Sequence, residues 1–108
     1  MNIKGATEYI NNKIKYLEDD FSHEKYVEGN ELQARKISWE IEDWRNVLEV
    51  LKGNKEDDCN NAKCFIYDKI AVLEEALIDE EDRVRISFIK YDLDKYNGVL
   101  RLLREREV

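Results

Sequence analysis

A chain of 108 residues has room for one modest core, enough to remove about 60 to 68% of its unfolded surface from water. Charged residues make up 40% of it, and with four glycines and no proline little interrupts a helix, so an all-α protein is expected. The net charge of -7 disfavours direct nucleic-acid binding, since no cation excess replaces the counterions around phosphates, and no run approaches the roughly 20 apolar residues of a membrane span.

In chain order, the opening MNIKGATEYI has no apolar stretch behind its one lysine, so no leader is read there and a cytoplasmic location is expected. Ile10, Ile14, Leu17 and Phe21 then recur at steps of three and four, the stripe of a packed helix. Asn30 with Gln33 three residues later resembles a capping box opening a second helix. Its stripe is Ala34, Ile37, Ile41, Trp44, Leu48 and Leu51, and Gly53 closes it at C′. Gly53 to Asp58 reads as a link, with Asp57 or Asp58 capping a third helix that carries Ile66, Ile70, Leu73 and Leu77.

Between Glu74 and Tyr96 the residues permit either a turn or one continuous helix. A slip of apolar register between Leu77 and Ile86 places a turn at Asp79 to Asp82; a continuous helix would need a second copy to complete the core. The last stripe is Ile86, Ile89, Leu93, Tyr96, Leu100 and Leu103.

The first half of the chain is repeated loosely in the second. Tyr9, Ile10, Lys13, Ile14 and Leu17 align with Phe65, Ile66, Lys69, Ile70 and Leu73 at an offset of 56, whereas Trp39, Glu40, Trp44, Val47, Leu48 and Leu51 align with Tyr91, Asp92, Tyr96, Val99, Leu100 and Leu103 at 52. The change of offset means two helical hairpins whose turns differ by four residues. The expected architecture is one domain, an antiparallel four-helix bundle of two tandem hairpins, about 5 to 53 and 58 to 106.

Apolar residues also recur outside the stripes. Leu32, Trp39, Val84 and Tyr91 fall at the outward f position and Phe88 at c, and Tyr9, Tyr16, Phe65 and Val72 occupy c positions on the other helices. Steeply crossed helices that bury wider faces would explain them; so would a surface that meets another chain, with Trp39, Tyr91, Phe88 and Tyr9 as anchors. Charge is equally uneven. The windows 18 to 31 and 74 to 82 hold 12 carboxylates, among them Asp19, Asp20, Glu75, Asp79, Glu80, Glu81 and Asp82, against Lys25 alone. In an up-down bundle both windows lie at one end, which becomes an acidic pole. Acidic residues also favour helix starts and keep turns soluble without any partner.

Chemical signatures are few. No phosphate loop, nucleophile elbow or HExxH is present, and Asp57 to Asp68 has the length of a calcium loop but Cys59 and Ala62 at positions that need a carboxylate and a glycine. Cys59 and Cys64 read as reduced thiols, and His23 as a solvated turn residue. Glu28/Glu31 and Glu40/Asp43 look only superficially like the paired carboxylates of all-α nucleotide pyrophosphatases, because Gly29 and Asn30 separate the first pair and the second would share its helix. No cofactor or metal is expected. The expectation that follows is a non-enzymatic protein-binding bundle, a phage or mobile-element inhibitor whose acidic end and exposed aromatics block a host or defence protein, such as a nucleic-acid-binding enzyme. The alternative is a structural or adaptor homodimer.

Overall fold

The computed structural model describes residues 1 to 54 and 59 to 106. Helix α1 runs Ile3–Ser22, α2 Glu31–Leu51, α3 Cys59–Ile78 and α4 Arg83–Glu105, with a π-helical turn over His23–Val27. They form an antiparallel four-helix bundle built from two hairpins, α1–α2 and α3–α4. None of the described helices is long and apolar enough to cross a membrane.

The helix boundaries have local causes. Asn2 caps α1 through a bond from the Gly5 N–H (2.8 Å), Asn30 caps α2 through Gln33 (3.1 Å), and Asp82 caps α4 through Val84 (2.9 Å). Each supplies an acceptor to an amide the helix leaves unpaired. Gly53 follows the C-cap of α2 at φ 82, a left-handed conformation that glycine adopts without a Cβ penalty. The chain therefore breaks at Asp79 to Asp82, and α3 and α4 are not one continuous rod. Asp57 and Asp58, expected to cap α3, lie outside the described residues.

The repeat is visible in what is buried. Ala6 and Ala62, Ile10 and Ile66, Ile14 and Ile70, Trp44 and Tyr96, Val47 and Val99, and Leu51 and Leu103 are equivalent pairs, and every member is buried in one core cluster. Polar contacts repeat too. Lys13 reaches Asp92 at 3.8 Å and Lys69 reaches Glu40 at 2.7 Å, which is one interaction made twice with the hairpins exchanged. Between hairpins α1 lies on α4 and α2 on α3. Along the first seam Arg101 donates to the Met1 carbonyl (3.0 Å) and Tyr9 to Asp92 (2.7 Å); along the second Phe65 meets Trp44 edge-on at 4.9 Å, one helical turn before Lys69 meets Glu40. Both seams are thus antiparallel, and both turns lie at the end remote from Gly53.

That end is open. No residue from 71 to 95 is buried, and the π-helical turn lies against α1 and α2 alone among the described elements. The extents of 44 × 33 × 21 Å are longer and wider than a square bundle of roughly 30 Å helices. The hairpins are packed at the linked end and diverge toward their turns, so the acidic pole is two tips rather than one joined surface.

Candidate protein-binding surface

The packing mode decides which outward apolar residues are used. Near the linked end α2 and α4 bury more than their stripes: Val47, Val50, Val99 and Leu102 lie in the core, covered by the opposite hairpin. Of the nine outward apolar residues, wider buried faces take up only two, Tyr9 and Phe65. The other seven stay bare. Leu32, Trp39, Val84, Phe88 and Tyr91 are exposed, as are Tyr16 and Val72.

Tyr9 and Phe65 correct the outward expectation. Their c positions face the other hairpin where α1 crosses α4 and α3 crosses α2, so both rings pack against the core. The Tyr9 ring stands 6.1 Å from Tyr96, edge to face, and its hydroxyl donates to Asp92. Burial first, and then the bond to Asp92, raise the Tyr9 phenol well above the ordinary tyrosine range. Tyr9 is a bundle contact, not a free anchor.

At the first tip the π-helical turn is closed by the Glu28 N–H bonding to His23 O (3.0 Å) and the Asn30 N–H to Glu24 O (2.8 Å), and Gly29 at φ 67 turns the chain into α2. This wide turn pushes Tyr26 and Val27 into solvent beside exposed Asp19, Asp20, Glu28 and Glu31. Sequence periodicity missed this apolar pair; the available signal was two large apolar residues one position short of the Glu28-Gly29 step, inside an acidic run. Lys25 stands 5.5 Å over both the Phe21 and Tyr26 rings, and His23 lies 3.3 Å from Glu28.

At the second tip Glu75, Asp79, Glu81 and Asp82 are exposed. Glu80 is not a free carboxylate: it accepts from the Asp82 N–H (3.1 Å) and pairs with Arg85 (3.3 Å), while Asp82 itself is spent on the cap of α4. Glu74, Glu75, Asp79 and Glu81 carry the available charge.

Elsewhere, partial burial and then the neighbouring Glu40 raise the Asp43 carboxyl above the ordinary aspartate value. Cys59 is buried and its thiol lies 3.5 Å from Leu103 O, whereas Cys64 is exposed. Among the described residues no group of three or more His, Cys, Asp or Glu side chains is placed to hold a metal. In comparison with known proteins, no family model matches the chain, and no curated protein or solved structure matches it.

Proposed function

We propose that the protein is a non-enzymatic binding module that docks its acidic tips on a basic protein surface, of the kind that nucleic-acid-acting enzymes present, and so inhibits it. The observation that carries this reading is the first tip, where exposed Tyr26 and Val27 sit among Asp19, Asp20, Glu28 and Glu31 on a capped hairpin. Apolar anchors ringed by one sign of charge suit a partner that is apolar at its centre and cationic at its rim. Fixed carboxylates would also steer encounter with a cationic groove, giving fast and salt-sensitive association. Trp39 extends the same hairpin's exposed surface toward its middle. An inhibitor encoded by a phage or mobile element against a host or defence enzyme fits this chemistry and the small size.

The test is capture from the source cell with wild type and with Asp19→Lys/Asp20→Lys, two exposed positions outside the caps. The reading expects a nucleic-acid-binding protein retained by the wild type, released by roughly 0.5 M salt, displaced by DNA or RNA, and lost in the variant. Retention of the same protein by the charge-reversed variant, with unchanged salt dependence, would sink the acidic-tip mechanism.

A further inference from the structure

Helix α4 carries one more surface. Val84, Phe88 and Tyr91 stand at i, i+4 and i+7, so they form a single line along the helix, and they are 62%, 67% and 57% exposed. Lys95 continues the line, its ammonium 5.1 Å over the Tyr91 ring. Farther along, the same face passes into Gly98, against which Met1 packs, and then into buried Leu102. This face is therefore already a helix-packing surface over its last two turns, covered there by the start of α1, and bare over its first three. The equivalent line on α2 is interrupted, because Lys36 stands where α4 has Phe88.

Charge along the bare stretch selects its occupant. The acidic turn holds Glu81 at one end of the line, and Lys95 stands at the other. Arg85 and Asp92 beside the line already have partners within the chain, Glu80 for the first and Lys13 with Tyr9 for the second. If a second α4 is laid antiparallel with its Phe88 level with the first, Glu81 of each copy comes level with Lys95 of the other, about 10 Å from the centre at 1.5 Å per residue, so one two-fold operation makes the pair twice. A parallel arrangement would set each charge beside its like. We infer that the Val84–Phe88–Tyr91 face of α4 is a homodimer interface, occupied by the same face of a second copy in antiparallel register about Phe88. It leaves the first tip and Trp39 free, so it does not depend on the partner reading above.

Sedimentation of the full chain decides the matter. The wild type is expected to be a dimer at about 100 μM and to dissociate on dilution toward 1 μM, and Phe88→Glu to be a monomer with unchanged helical circular dichroism. Lys95→Glu is expected to weaken the dimer by about tenfold, and Glu81→Lys combined with Lys95→Glu to restore it, because the opposed charges are then exchanged in register. Should Phe88→Glu lose helicity, the charge-exchange pair carries the test alone. A wild type that stays monomeric at about 1 mM, a dimer broken by Trp39→Glu but not by Phe88→Glu, or failure of the double exchange to restore association would each overturn the inference.

Discussion

The rings of Trp44 and Tyr96 meet with centroids 5.7 Å apart, inclined at 38°, and they are the same position of the two copies of the repeat. The pseudo-two-fold relation between the hairpins passes through this contact. Each ring also takes an edge-on partner, Trp44 from Phe65 and Tyr96 from Tyr9, which are again equivalent residues. Fully buried Trp44 should therefore be the most damaging single site. Trp44→Ala is expected to cost about 3 to 5 kcal/mol through lost burial and the cavity left behind, a large part of the 5 to 15 kcal/mol typical of a domain. Its urea midpoint should fall accordingly, and Tyr96→Ala in addition should cost less than the sum, because the two sites share one cavity. Additive losses would mean that the rings do not form one packing unit.

The capping residues give a second prediction. Asn30→Ala and Asp82→Ala each remove the acceptor for one amide at a helix start and should each cost about 1 kcal/mol in urea unfolding. Asp79→Ala, three residues earlier in the same turn and exposed, should stay within about 0.5 kcal/mol of wild type. Equal losses at Asp79 and Asp82 would show that general charge in the turn, rather than the cap, sets the start of α4.

These caps also mark how far the sequence could be read. Asn30, Gly53 and the Asp79 to Asp82 turn were legible because each signal is local: a side-chain acceptor or a φ that only glycine tolerates. The stripes were legible because 3.6-residue periodicity records which face is buried, and the repeat gave the order of the hairpins. What periodicity could not record is which hairpin covers which face, and over what length. Val50 and Leu102 are buried although Leu32 and Val84 lie on the same helical faces, since the hairpins diverge after Lys13–Asp92 and Lys69–Glu40. For the same reason Tyr9 and Phe65 turned inward and the acidic pole became two tips. Tyr26 and Val27 went unread because a π-helical turn follows neither helical nor strand spacing.

Tyr9 supplies a pH-dependent prediction. Tyr9→Phe deletes the bond to Asp92 between hairpins and should cost about 1 to 2 kcal/mol at neutral pH. The phenol's pKa is raised in the folded state over an unfolded value of about 10, so the native state holds the proton more tightly than the unfolded chain. The stability from this group is complete below pH about 10 and is lost as pH rises toward the folded value. The gap between wild type and Tyr9→Phe in urea unfolding should hence be constant from about pH 7 to 9 and narrow above about 10. A gap that widens in alkali would contradict the sign.

Asp43 shares the sign of this linkage but lies on the other side of its titration at neutral pH. Its carboxyl is raised by partial burial and then by Glu40, with Lys69 acting against both, so ionising it costs more in the folded protein than in the unfolded chain. The unfolded value is about 3.9. Above the folded value the ionised group therefore destabilises the wild type, and the penalty is relieved as pH falls through the folded value, reaching zero below the unfolded one. Asp43→Asn keeps the shape and removes the charge, so it should be more stable than wild type at neutral pH and equal to it near pH 3. Thermal unfolding of both proteins from about pH 3 to 7 reads this directly. Loss of stability in Asp43→Asn at neutral pH would show instead that the Asp43 carboxylate supports Lys69, and that the Lys69–Glu40 contact depends on a three-charge group rather than a pair.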